Sequence, residues 1–511
     1  MADKTKFIEE LNAKYQPKGE YIVLGKGMLD GEVITEVDVN IPLKTINRHG
    51  LIAGATGTGK TKTLQVFVEQ LSHKGIPTLV MDIKGDLSGI AVEGEQNDKI
   101  NERYAKTKLP YQPQSFPVEL MTISAEKGLK LRATVTEFGP VLLSKILGLN
   151  DTQSSIMSIV FKYADDKGLP LIDLDDLKKT LQYVTDNDEG KKELASNYGA
   201  ISPASLGAIL RSIVAMEQQG ATSFFGEPSF DVEDLLQTRG GKGVVNVLRV
   251  ADIQNQPQLF STFMLSLFAE IYMTFPEEGD SGKPKLVLFI DEAHLIFNEA
   301  SKALLSQIET MVKLIRSKGV GIYFITQIPG DVPENVLAQL GLKIQHALRG
   351  FTAKDRKEID KAVENYPITE YYDAGNLIQN LGIGEAFVTA LDEKGIPTPL
   401  VQTYLISPES RMDVLSSDEI DDLVNASDLA EKYNKEIDKE SAYEILTKRM
   451  ETAAAAEQEV KQEKSTARQP KEEQGMFEQV LKSRAGRTFT NTLAREGAKF
   501  VLGMFGLKMR R

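Results

Sequence analysis

The residues with the clearest chemical capacity are Gly54-Ala55-Thr56-Gly57-Thr58-Gly59-Lys60-Thr61, which satisfy the pattern GxxxxGK[ST] at every fixed position. Glycines at this spacing let the backbone curl until successive amide hydrogens face one phosphate, with the positive end of a following helix behind them. Lys60 then reaches the β- and γ-phosphates and Thr61 offers its hydroxyl to Mg²⁺. The predicted contact segment runs through Lys62, and the predicted ligands are ATP and Mg²⁺. The flanks fit the same reading: Leu51-Ile52-Ala53 is a short apolar run, and Thr61 to Leu71 has helical character. A glycine-rich turn that binds nothing is the plainer alternative, and the strand–loop–helix context weighs against it.

A second cluster lies far downstream. Lys285-Leu286-Val287-Leu288-Phe289-Ile290 reads as a strand buried on both faces, ending in Asp291-Glu292. A carboxylate there can hold Mg²⁺ through water, the role expected of Asp291. Glu292 is placed to orient or deprotonate an attacking water, which favours hydrolysis over binding alone. An acidic strand end facing solvent would be the plainer reading without the phosphate loop. The tetrad Asp291-Glu292-Ala293-His294 spells the name of a helicase class, but those enzymes carry two tandem motor domains, and the sequence holds no second phosphate loop. His294 reads as a packing or capping residue and is left out of the expected site.

Ser301 to Lys318 is apolar at Leu304, Leu305, Ile308, Met311, Val312 and Ile315, the spacing of a helix laid on a sheet. Gly319 to Gln327 then reads as another buried strand. An amide at its end could stand beside the γ-phosphate or the lytic water; a strand-end turn role for Gln327 is the alternative.

Composition excludes other chemistry. The chain has 511 residues, no cysteine and four histidines, so disulfides and thiolate metal sites are ruled out and a histidine metal site is disfavoured. The start, Met1-Ala2-Asp3-Lys4, lacks an apolar signal core, and no run approaches the ~18 apolar residues of a membrane span. A cytoplasmic location is expected. A net charge of −13 speaks against a broad nucleic-acid-coating surface, though not against a few basic residues lining a pore.

Periodicity divides the chain as follows. Residues 1–46 are an N-terminal segment with a small β-cap; 47–139 open an ATPase core that 221–407 complete. Between them, 140–220 carry helical stripes such as Leu142, Leu143, Ile146 and Leu147, or Leu206, Ile209, Leu210 and Ile213, and read as an all-helical insertion. Core strands are expected at 78–83, 118–123, 243–248, 285–290, 319–327, 343–348 and 385–391. Strands alternating with helices predict an α/β fold with a parallel-dominated sheet. Asp82, near the end of the strand 78–83, and Asp86, just after it, could enter a Mg²⁺ shell or simply shape a turn. Residues 408–475 are an acidic helical and linker region. Residues 476–511 form a basic amphipathic tail, with eight Lys/Arg against one Glu from Leu481 onward. That tail suits an anionic membrane surface, nucleic acid or a partner groove, or docking on its own protein.

Several spaced motifs occur in one order: Gly54 to Thr61, Asp82 to Leu87, Phe224 to Pro228, Asp291 to Leu295, Leu314 to Gly321, Ile325 to Gln327, Gln345 to Arg349, and Gly384 to Ala386. Over roughly residues 20–407 the sequence resembles the bacterial HerA-like ATPases of the FtsK–HerA superfamily of ring-forming motors. The resemblance implies a RecA-like P-loop core, a hexameric ring with ATP at subunit interfaces, and Gln327 as a sensor glutamine. It also implies an arginine supplied across the interface to stabilise charge on the transferred phosphoryl group, for which Arg349 is the first candidate and Arg316 the second. HerA itself carries a larger N-terminal β-barrel than residues 1–53 can hold, so its nuclease-docking surface and its role at DNA ends are not carried over.

Two functions follow as alternatives. In one, ATP hydrolysis around the ring drives double-stranded DNA through a central pore. In the other, nucleotide controls assembly or the binding of a protein partner, without DNA translocation.

Overall fold

The computed structural model describes residues 3–253, 257–279, 281–299, 302–435, 437 and 439–452. The basic tail expected at 476–511 lies outside the described residues. The described residues form two compact units: those up to Leu131 with Phe230–Lys435, and Arg132–Ser229 with the described residues after Lys435.

The first unit is built on one twelve-stranded sheet. Its strands in chain order are β1 (Tyr21–Leu29), β2 (Glu32–Pro42), β3 (Gly50–Ala53), β4 (Thr78–Asp82), β5 (Val118–Thr122) and β6 (Leu129–Lys130). A separate two-stranded ribbon, β7 (Thr238–Arg239) and β8 (Lys242–Gly243), precedes β9 (Val245–Arg249). Then come β10 (Leu286–Ile290), β11 (Val320–Thr326), β12 (Leu342–Gln345), β13 (Glu385–Thr389) and β14 (Val401–Leu405). The spatial order is β2-β1-β14-β13-β12-β3-β11-β10-β4-β9-β5-β6. From β12 to β6 every pairing is parallel, and from β12 outward to β2 every pairing is antiparallel.

The parallel strands are apolar because helices cover both faces. All five residues of β10 are fully buried, as is most of β11. Strand β12 stops at Gln345, short of the expected Leu348, because the next residues turn over the loop after β3: the His346 amide donates to Ala53 O at 2.7 Å, and Ala347 O accepts from the Ala55 amide at 2.8 Å. The N-terminal strands, expected as a small cap of short strands, are instead nine and eleven residues long and continue the central sheet through β14. Their inward faces put Ile22, Leu24, Val37 and Val39 into the same core as the parallel strands, which explains why they join that sheet.

The helix Lys60–His73 is anchored where it matters for the phosphate loop. Phe67 packs on Phe289 of β10 and Tyr323 of β11, with centroids 5.6 and 5.0 Å away, and those two rings stand 5.2 Å apart. Gly50 makes room for this trio: a Cβ there would lie 2.4 Å from the Tyr323 ring.

The second unit is helical, with Val135–Ile146, Asp151–Lys167, Leu174–Asp186, Asp188–Tyr198 and Pro203–Gln218. Thr134 with Glu137 and Asn150 with Gln153 form capping boxes that start the first two helices. Ile156, Val160, Leu177, Leu181, Ile209 and Ile213 are buried, in keeping with the helical stripes. Among the described residues no single helix is long and apolar enough to cross a membrane.

Candidate active site

The parallel strands deliver their carboxyl ends to one edge, where successive loops meet. The loop after β3 opens with Gly54, whose amide donates to Thr326 O at the end of β11 (3.2 Å). Gly54, Gly57 and Gly59 all have positive φ, at 153°, 79° and 107°. At Gly54 a side chain is also excluded by space, since a Cβ would lie 2.5 Å from His346 Cβ. The Thr58 hydroxyl and amide both turn back to Ala55 O, at 2.7 and 3.4 Å, closing the loop on itself. Thr56 and Gly57 at its crest are exposed, and Thr61 is half-buried at the start of the helix.

Lys60 is buried, and its ammonium donates to Gly54 O at 2.5 Å and Ala55 O at 3.2 Å, so it lies across the mouth of the loop. Burial lowers its pKa, and the Lys84 ammonium nearby adds to the effect, against the pull of Glu292 and Asp291. Lys62, expected among the nucleotide contacts, sends its ammonium to Met412 O (2.6 Å) and Gln65 Oε1 (3.2 Å).

Asp291 and Glu292 follow β10 at this same edge. Asp291 is 3% exposed, and burial pushes its carboxyl up to about 6, opposed by the Lys84 charge. Its Oδ1 accepts the Glu292 amide at 2.9 Å. Glu292 holds a positive φ of 47°, uncommon for a residue with a side chain. The turn is tied to β11 by the Ala293 amide donating to Ile325 O at 2.9 Å. Of the two Glu292 carboxylate oxygens, Oε1 pairs with Lys84 Nζ, while Oε2 is buried with no hydrogen bond. His294 Nδ1 lies 3.2 Å from that Oε2.

The turn after β4 supplies Lys84 and explains Asp82. The Asp82 carboxylate accepts the amides of Gly85 (2.7 Å), Asp86 (3.1 Å) and Leu87 (3.1 Å), so its oxygens shape the turn, the second of the two roles open to it. Asp86 keeps a buried Oδ1 with no hydrogen bond.

Gln327 and Arg349 share a cavity of about 380 Å³ with Ala55, His294, Ile328 and Asp331. Asp331 fixes the turn that carries Gln327, accepting from the Thr326 hydroxyl and from the Ile328 amide at 3.3 Å. Both Gln327 and Arg349 are exposed, and the Arg349 guanidinium donates to Gln379 O. Arg316 is elsewhere: it precedes β11, on the sheet edge opposite the phosphate loop.

The structure therefore gathers Lys60, Asp291 and Glu292 at one point, with Gln327 and Arg349 beside them and Arg316 remote. Three neighbours were not assigned from sequence. Lys84 and His346 each stand inside a recurring motif, and His294 follows Glu292 by two residues, which was the only available signal. His346 is fully buried, with its Nε2 3.0 Å from the Thr63 hydroxyl, and burial pulls its pKa down to about 3. The imidazole is thus a neutral spacer between the loop and its helix.

The donor set suits a metal held largely by phosphate and water. Among the described residues no group of three or more His, Cys, Asp or Glu could hold a metal ion without such help. The Thr61 hydroxyl and one Asp291 carboxylate would fit the sparse protein shell typical of Mg²⁺ bound with a nucleotide.

The profile of the family described as "Helicase HerA-like C-terminal" matches residues 29–508. The DNA double-strand break repair helicase HerA of Saccharolobus solfataricus is 22% identical over 385 residues, covering 74% of this chain and 68% of that protein. Among solved structures, the bacterial conjugative coupling protein TrwBΔN70 has a TM-score of 0.51 at 15% identity, covering 80% of this chain and 94% of that one. The plasmid coupling protein TrwB with the non-hydrolysable ATP analogue ADPNP also scores 0.51 at 15% identity, covering 82% and 96%. The likeness to both is one of fold: a RecA-like P-loop core.

Proposed function

Because the chain belongs to the HerA-like helicase family, we propose that it is a Mg²⁺-dependent ATPase that works as a hexameric ring motor on double-stranded DNA. The observation that carries the hydrolytic part is Glu292. Its Oε2 is buried and makes no hydrogen bond, with His294 Nδ1 3.2 Å away; the residue follows Asp291 directly and lies close to Lys60, so a proton acceptor stands beside the lysine expected to meet a terminal phosphate.

In this reading the amides of Gly57 to Thr61 cradle the phosphates, with Gly54 to Thr56 holding the loop's curve and Lys62 bracing the helix behind it. Lys60 leaves the carbonyls of Gly54 and Ala55 for the phosphate oxygens. Thr61 and, through water, Asp291 would hold Mg²⁺, which would supply neutralising charge to the bound phosphates. Glu292 Oε2 takes the proton of the attacking water, and Gln327 orients that water from the adjoining cavity. Arg349 is the first candidate for the arginine given to a neighbouring copy's site; Arg316, on the far edge, is the second.

The action on DNA rests on the family alone. Steady-state ATP hydrolysis with and without double-stranded DNA, with Lys60→Ala as the blank, tests both parts. Strong stimulation by DNA supports the motor. Turnover indifferent to DNA overturns it in favour of an ATP-controlled assembly module with a protein partner, and no turnover under either condition overturns the ATPase itself.

A further inference from the structure

Among the described residues Lys84 is the one lysine that pairs with Glu292, and the surrounding backbone shows how it is presented. Its Cα sits on the turn that the Asp82 carboxylate pins through the amides of Gly85, Asp86 and Leu87, with Gly85 at a φ of 74°. From that rigid base a flexible four-carbon stem reaches out, 37% exposed, and its ammonium caps Glu292 Oε1, whose own side chain is only 9% exposed. Asp291 and Asp86 also face this ammonium and help keep it protonated, while Lys60 stands near enough to feel its charge.

Lys60 and Lys84 are thus each held by oxygens of the protein: Lys60 by the carbonyls of Gly54 and Ala55, Lys84 by Glu292. An ion pair with a partly exposed lysine contributes little, so it is exchanged readily for a stronger anion. A terminal phosphate carries more charge than one carboxylate and offers three acceptor oxygens. It would also lie beside Glu292 by the very requirement that Glu292 act on the attacking water.

We propose that Lys84 is a terminal-phosphate ligand that alternates between Glu292 and the γ-phosphate, so that a nucleoside triphosphate, but not a diphosphate, frees the Glu292 carboxylate. This rests on the reading of the site as an ATPase. Until a γ-phosphate arrives, Lys84 holds Glu292 as an ion pair; when it arrives, the ammonium moves and Oε1 is released, while His294 Nδ1 stays beside Oε2. No bond is made or broken in the exchange.

The test is equilibrium binding to the full chain in Mg²⁺, comparing a non-hydrolysable ATP analogue with ADP for wild type, Lys84→Met, Lys84→Arg and Lys60→Ala. Lys84→Met should lose roughly tenfold in affinity for the analogue, the scale of one charge-assisted hydrogen bond, and stay within about twofold for ADP. Lys84→Arg, which keeps the charge, should recover most of the loss. Thermal melting of each variant identifies a folding defect, and if Lys84→Met fails to fold, the analogue-to-ADP ratio of Lys84→Arg decides, with a wild-type-like preference expected. Equal losses for both ligands, or no loss for either, overturn the proposal while leaving the ATPase reading intact. Wild type binding neither ligand, indistinguishable from Lys60→Ala, overturns the reading of the site and this inference with it.

Discussion

Gly54 and His346 are in such close contact that a single added carbon on Gly54 would lie 2.5 Å from the histidine Cβ. One residue opens the phosphate loop and the other leaves β12, nearly three hundred positions later in the chain. The loop's curve is therefore set from outside as well as by its glycines. Gly54→Ala adds both that collision and a side chain at a φ of 153°. The expected outcome is a stability loss of about 1–3 kcal/mol together with loss of nucleotide binding, read by melting and by equilibrium titration.

Glu292→Gln removes the proton acceptor and keeps the size of the side chain. It should bind ATP about as well as wild type while turning over roughly 10²-fold or more slowly. Steady-state turnover at the wild-type rate would assign the general base elsewhere.

Phe67→Ala takes one ring from the trio with Phe289 and Tyr323, all fully buried. A cost of about 3–5 kcal/mol is expected from the cavity. Because Phe67 anchors the helix that begins at Lys60, nucleotide affinity should fall with stability. Urea titrations with and without ATP and Mg²⁺ separate the two.

His49 gives a pH dependence with a definite sign. Its Nδ1 accepts the Ile322 amide at 3.0 Å and its Nε2 donates to Val312 O at 2.9 Å, so the ring is held neutral, and burial lowers its pKa to about 4. The unfolded chain takes up this proton near pH 6.5, before the folded one does. The stability it contributes is therefore complete above about pH 6.5 and declines as pH falls towards about 4, by up to roughly 3 kcal/mol. His49→Gln keeps a donor and an acceptor without titrating. Chemical denaturation across this window should show a shallower acid decline for the variant; parallel curves would exclude His49 as the cause.

The chemistry was legible locally where it depends on short spacing. The phosphate loop and the Asp291-Glu292 strand end are contiguous segments, and the runs 285–290 and 319–327, short and rich in β-branched and aromatic residues, read as strands covered on both faces. Such runs predicted a parallel-dominated α/β sheet. They could not say which strand lies beside which, because apolar periodicity records how many faces are covered and not what covers them.

That second kind of information came from the tertiary structure alone. The pairing of β1 with β14, such as Gly25 with Leu405, turned the N-terminal strands from a cap into the edge of the central sheet. The order β12-β3-β11-β10-β4 brought Lys84, Glu292, Lys60 and His346 to one edge from four separate loops. A lysine in a turn or a histidine after a strand has no distinguishing pattern in one dimension. Its role follows from the charges that face it, and those are fixed only when crossovers have set the strand order.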